Sequence, residues 1–259
     1  MAWSDRLKKV IFAIVPPAFW LGVWQLAAVL VERSVNGRGN ELLLPYPVSV
    51  FRALVRLGSR VEFWQVTATS LARILAGLLL GVGIGAVLAV LTSASRWCDR
   101  LLSPAIRVIR STPVTSFILL LLLWIGRSSV SAVIAALMVL PVVWENLSRG
   151  IRETDRGLLE MARAYRFSRW KTVRLIYLPS LRPYFTAALT MAMGLAWKSG
   201  VAAEVISLPK RAIGKEIYEA KLYLEIPDLF AWTMVVILLS LLLEKLLRRM
   251  IAAGKGREA

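Results

Sequence analysis

The residues able to do chemistry in this chain are few and widely spaced. Lys198 and Glu204 stand in Ala-Trp-Lys-Ser-Gly-Val-Ala-Ala-Glu, residues 196–204, inside a long apolar run. A charge buried in lipid costs about 2.5–3.5 kcal/mol on insertion scales, so it must face protein or a water-filled cavity. Two readings of Lys198 stand. Either it pairs with a carboxylate such as Glu145 or Glu204, or reaches for the membrane interface, or it draws an anionic solute along a pathway shared with Trp197, Ser199 and Glu204. Arg73, near the end of another apolar run, reads as a side chain extending to the interface.

Most catalytic and metal chemistry lacks its residues. Histidine is absent and Cys98 is the only cysteine. No disulfide can form within the chain, and zinc, haem or iron–sulfur ligation has almost nothing to use. No catalytic residue and no metal ligand is assigned. The nucleotide loop Gly-x-x-x-x-Gly-Lys-Ser/Thr does not occur, so an ATP-driven step needs a separate subunit. Gly-Val-Gly-Ile-Gly-Ala from Gly81 partly matches a dinucleotide fingerprint, but no strand precedes it. An integral-membrane enzyme would need convergent acid, base or metal groups near one membrane face. A self-sufficient carrier would be expected to carry an internal repeat, and the two halves show none.

The elements that position these residues are membrane helices. With 58% hydrophobic residues and a mean hydropathy of +0.64, the chain reads as an all-α polytopic membrane protein. Its net charge of +17 is divided among the connections between apolar runs, which fits orientation in lipid and argues against nucleic acid. Six stretches are long and apolar enough to span: residues 10–31, 66–92, 103–125, 128–144, 183–206 and 229–247. The first lacks a small-residue cleavage site and reads as a retained span. With both termini in the cytoplasm, 21 of the 33 Lys and Arg residues lie on the inner side and 10 on the outer, as the positive-inside rule requires. The organisation is an N-terminal helix with an external connection (1–65), a five-helix core (66–250) containing a cytoplasmic loop (146–182), and a tail (251–259).

Ser111, Thr112 and Pro113 interrupt the third span, because proline removes a backbone donor and restricts its predecessor. An ordinary kink and an opened backbone lining a pathway both fit. Gly77, Gly81 and Gly85 recur every fourth residue in the second span, a face for close helix packing. Residues 158–179 form a charged amphipathic stretch: a short helix with Glu160, Arg163 and Phe167 on one side, a turn, and a second basic helix stopped by Pro179. It suits a protein partner, or anionic lipid touched by Arg163, Arg166, Arg169, Lys171 and Arg174. Residues 207–227, with Lys210, Arg211, Lys215 and Lys221, suit an external partner or plain solvent.

That stretch resembles the cytoplasmic loop motif of bacterial ABC importer permeases, Glu-Ala-Ala followed by Gly and then Ile-x-Leu-Pro. Here it stands as Glu160-Met161-Ala162, Arg166 at the glycine position, and Ile176-Tyr177-Leu178-Pro179. Leu44-Pro45-Tyr46-Pro47, residues 70–77, Arg110-Ser111-Thr112-Pro113, Trp124-Ile125-Gly126, Ser168-Arg169-Trp170 and Ala202-Ala203-Glu204 look like the nitrate/taurine/alkanesulfonate branch. The resemblance implies a type I importer permease with six transmembrane helices, a kinked third helix and a coupling helix between helices four and five. Glu160, Met161, Ala162, Arg163 and Ala164 would form that helix, with Arg166, Arg169, Trp170 and Pro179 completing the loop. It also implies a second permease copy, two ATPase subunits that bind ATP and magnesium, an external solute-binding protein, and a place in the cell inner membrane, with no cofactor on this chain. The expected solute is a small anion of the sulfonate, taurine or nitrate kind; a thiamine-pyrimidine precursor is the alternative. Two departures stand out: Met161 replaces the second motif residue, and Arg166 replaces a glycine whose positive φ costs arginine about 1 kcal/mol. Lys198 departs too, from an uncharged residue expected there.

Overall fold

A computed structural model of the chain describes residues 2–34 and 40–255. Residues 35–39 of the expected external connection and 256–259 of the expected tail lie outside the described residues. Among the described residues there is no strand. The helices are α1 (Ala2–Ser34), α2 (Asn40–Leu43), α3 (Pro47–Gly58), α4 (Val61–Ala94), α5 (Arg96–Ser111), α6 (Val114–Trp124), α7 (Arg127–Arg152), α8 (Arg156–Ala164), α9 (Arg169–Thr172), α10 (Leu178–Ser207), α11 (Ile213–Leu222) and α12 (Ile226–Lys255), with a π-helical turn at Val173–Tyr177.

Two compact units divide the chain. The first joins Met1–Gln65 to Glu216–Val236. Here the Trp24 indole N–H donates to the Pro45 carbonyl at 3.1 Å and its ring stacks on Phe230. Phe63 stacks on Trp232, and Arg56 pairs with Asp228.

The second unit, Val66–Lys215 with Ile237–Ala259, holds the candidate site. Its centre is α7 against α10. From α7, Val130, Ile134, Val139 and Val143 are buried; from α10, Ala188, Ala192, Ala196 and Ala203 are. Those alanines recur at helical spacing, so the two backbones approach closely along one face. α6 packs across both through Ile118, which joins Val130, Ile134 and Ala203 in one cluster. The glycine face of α4 lies on α7. A Cβ on Gly81 would stand 2.7 Å from the Ala136 carbonyl, one on Gly85 2.8 Å from that of Leu140, and one on Gly77 would collide with that of Ala132. The other side of α4 leaves Leu79, Leu80 and Val87 exposed, the surface a lipid-facing helix presents.

Four described helices are long and apolar enough to cross a bilayer: Val15–Ser34 within α1, α4, α7, and Ile226–Ala253 within α12. Counting the bent pair α5 and α6 as one makes five. α10 has the length, at 30 residues, but Lys198 and its small residues dilute its apolar character. The interruption expected at residues 111–113 falls where the helix breaks, and the bend there is 106°. That is more than a kink. α6 alone, with 11 residues, extends only about 16 Å, and α5 is a separate amphipathic helix with Trp97, Leu101 and Val108 exposed.

Pro179 does not stop the second loop helix. α9, the π turn and α10 follow one another without a gap, and Pro179 sits in the first turn of α10. The Leu178 N–H reaches back to the Val173 carbonyl, so the hydrogen-bond ladder has already shifted by one residue where the proline lacks a donor.

Candidate functional site

The loop between α7 and α10 is built from its caps. The Asp155 carboxylate accepts from the Gly157 N–H at 2.7 Å, satisfying one of the free donors at the start of α8. At the other end the Phe167 N–H bonds the Ala162 carbonyl at 2.8 Å and the Arg166 N–H bonds that of Arg163 at 3.0 Å. These two bonds define a Schellman turn, which needs a left-handed residue at its centre. Arg166 occupies it with φ 50°. The motif's glycine position is therefore a left-handed turn here, although glycine is absent.

Of α8, only Ala162 is buried. Glu160, Met161, Arg163 and Ala164 are exposed, as are Tyr165, Arg166, Arg169, Trp170 and Pro179. Met161, Tyr165 and Trp170 thus offer apolar surface beside the charges of Glu160 and Arg163. Ser168 caps α9 by accepting from the Lys171 N–H at 3.3 Å, and the Lys171 ammonium lies 4.2 Å above the Phe167 ring, bracing the turn. At the base of the loop, Glu153 accepts from the Tyr184 O–H and from Arg149 Nε at 2.8 Å. Those donors, Tyr184 first, hold the Glu153 carboxyl below its ordinary value.

Farther along α10, Glu204 is fully buried in a knot that the sequence reading missed. The Ser70 hydroxyl donates to Glu204 Oε2 at 2.8 Å and accepts from the Ile213 N–H at 2.9 Å; the Gly214 N–H adds a bond to Oε2 at 3.2 Å. Arg73 stands 3.6 Å from Oε1 and donates to the Lys210 and Arg211 carbonyls at 2.7 and 3.2 Å. Arg73 is thus an internal partner for the buried carboxylate, not a side chain reaching for the interface. The signal was available: Ser70 and Arg73 share one helix face within an apolar run, and an intramembrane carboxylate needs a partner.

Lys198 pairs with neither expected carboxylate. Glu204 is held by Arg73 and Ser70, and Glu145 pairs with Arg110. Lys198 is exposed, on a stripe of α10 with Met191, Leu195 and Ala202. Trp197, Ser199 and Glu204 are buried, so the four are not brought together. The Ser199 hydroxyl bonds the Leu195 carbonyl at 2.8 Å. Near Pro113, the Ser111 and Thr112 hydroxyls both return to the Val108 carbonyl, at 3.1 and 2.7 Å. Among the described residues no group of histidine, cysteine or carboxylates could hold a metal ion.

Residues 81–252 match the family model described as binding-protein-dependent transport system inner membrane component. A putative aliphatic sulfonates transport permease protein of Escherichia coli is 33% identical, over 79% of this chain and 77% of the relative. A taurine transport system permease protein of Escherichia coli is 26% identical, over 93% and 87%, and a nitrate import permease protein of Synechococcus elongatus is 27% identical, over 85% and 80%. Among solved structures, a methionine ABC transporter in inward-facing conformations aligns with a TM-score of 0.57 and 18% identity, over 73% of this chain and 93% of that one. At that identity the likeness is one of fold.

Proposed function

Because this chain belongs to the family of binding-protein-dependent transport inner membrane components, we propose that it is the permease subunit of an ATP-driven importer of a small oxyanion. Relatives named for sulfonates, taurine, bicarbonate and nitrate support that solute class. The chain is a transport subunit, not an enzyme. Hydrolysis, with its ATP and magnesium, falls to a separate ATPase. Six spans result when the bent pair α5 and α6 counts as the third and α10 as the fifth. Both termini and α8 then lie in the cytoplasm, in keeping with the excess of Lys and Arg on that side.

One observation carries the reading: α8 is an exposed, doubly capped helix whose following turn feeds directly into the continuous helix from α9 through α10. A partner gripping Glu160, Met161 and Tyr165 would move the helix that bears Lys198. Two permease copies would face each other across a two-fold interface, with Lys198 on the pathway attracting the anion delivered by an external binding protein. Closure of the ATPase pair on ATP would favour the outward-open arrangement, and hydrolysis would restore the inward one, an equilibrium biased from both sites.

The test is co-purification with the co-expressed ATPase. Glu160→Arg is expected to abolish the association or uncouple hydrolysis from transport. Full uptake by the chain alone, indifferent to that substitution, would sink the proposal.

A further inference from the structure

We propose that the cleft between α5 and the C-terminal end of α7 is an oxyanion site, taking a phosphate, sulfonate or carboxylate group from an anionic phospholipid or from a free anion. The cleft has a volume of about 280 Å³ and is lined by Arg107 and Arg110 of α5 and by Trp144, Glu145, Ser148 and Arg152 of α7, among others. Glu145 is the one carboxylate lining the cleft, and it is already paired with Arg110. Arg107 and Arg152 make no contact ion pair among the described residues; Arg152 has only a longer-range attraction to Glu153, whose oxygens already accept from Tyr184 and Arg149. Two forked donors are left for a ligand.

Ser148 is the second, independent observation. It is 1% exposed, and its hydroxyl has no hydrogen-bond partner. Ser199 and Ser207, also buried in a helix, return theirs to the carbonyl four residues back; Thr67, Ser93 and Ser131 share the unpaired state, and of the four only Ser148 lines the cleft. A buried hydroxyl left unpaired costs about 1–3 kcal/mol, so such a group calls for an explanation. An oxyanion would supply what is missing: bridging the guanidiniums of Arg107 and Arg152, it accepts from the Ser148 O–H once that side chain, its oxygen closed to solvent as it stands, rotates toward the cleft. Trp144 forms a fixed apolar wall, its indole N–H held by the Thr92 hydroxyl at 2.9 Å. α5 also exposes Trp97, Leu101 and Val108, apolar surface that acyl chains beside a bound headgroup would cover. No residue of α10 lines the cleft, so the site is distinct from Lys198 and stands whether or not the importer reading holds.

The full chain in lipid nanodiscs provides the test, with two probes. Phosphatidylglycerol is raised stepwise in phosphatidylcholine discs and counted by native mass spectrometry; radiolabelled sulfate is titrated against pure phosphatidylcholine discs. Saturable binding of either probe at about one per chain is expected, and the probe that binds identifies the source. Arg107→Gln combined with Arg152→Gln should weaken it at least about tenfold, and Ser148→Ala about threefold. The charge-matched pair Arg60→Gln and Arg127→Gln should leave it unchanged. If the double variant fails to fold, Arg107→Lys with Arg152→Lys keeps the charge, loses the fork and should still weaken binding about threefold. Binding of neither probe, or equal binding by wild type and the cleft variants, overturns the proposal.

Discussion

Ser70 and Glu204 stand 134 residues apart in the chain and 2.8 Å apart in the fold, and neither has any solvent exposure. The serine hydroxyl is a relay, donating to the carboxylate and accepting from the backbone where α11 begins. Through it, α4, α10 and the start of α11 are tied at one point.

Removing the carboxylate should therefore do more harm than neutralising it. Glu204→Ala leaves Arg73, Ser70 and the Gly214 N–H without their acceptor and should cost about 3 kcal/mol. Glu204→Gln keeps an oxygen for Ser70 and Gly214 and should cost about 1 kcal/mol. Thermal unfolding of the purified chain would rank the three; equal midpoints would contradict the knot.

The glycines of α4 divide into two classes. Gly81→Ala must push against the Ala136 carbonyl, and Gly77→Ala against that of Ala132, whereas a Cβ on Gly83 meets nothing within 4 Å. Overpacking predicts a loss of about 1–3 kcal/mol for the first two and almost none for Gly83→Ala. The same melting assay separates them.

Arg166 holds a left-handed turn at φ 50°. Arg166→Gly should stabilise the loop by roughly 0.5–1 kcal/mol, while the β-branched Arg166→Val should destabilise it. Amide exchange at the Phe167 N–H, whose bond closes the turn, reports the change directly.

Glu153 carries a pH signature. Its carboxyl lies below the ordinary 4.5 because Tyr184 and Arg149 donate to the charged form. What the contact contributes to stability is present above the unfolded value and is lost as pH falls through the lower folded one. Isotope-edited infrared titration should place Glu153 below the free residue, and Tyr184→Phe should move it upward. No movement would detach the two groups.

Lys198 is tested by transport. If the chain imports an oxyanion as proposed, Lys198→Met should lower maximal uptake of that anion while leaving association with the ATPase intact, as judged by co-purification. Unchanged uptake would return Lys198 to a structural role.

How far the sequence could be read depended on range. Gly77, Gly81 and Gly85 announced a packing face because the α-helical repeat alone puts them in line. The short helix at Glu160 and the break near Pro113 were equally local. The depth of that break was not: a proline is compatible with a mild kink or a 106° bend, and only the packing of α6 on α7 and α10 decides. Lys198 was offered Glu145 and Glu204, yet Arg110 and Arg73 take them. Partner choice across such separations depends on helix rotation, which a single sequence does not encode locally. The stop expected at Pro179 failed for a related reason, since the π turn before it accommodates the proline.

That π turn has a mechanical consequence. The helix of residues 169–207 is roughly 60 Å long at about 1.5 Å per residue, with the Ser168 cap at one end and the Glu204 anchor near the other. Its one π-helical segment, Val173–Tyr177, directly follows α9. If the loop transmits force as proposed, twist would be taken up at residues 173–177, where a change from π to α pattern would turn everything beyond by about one residue's rotation.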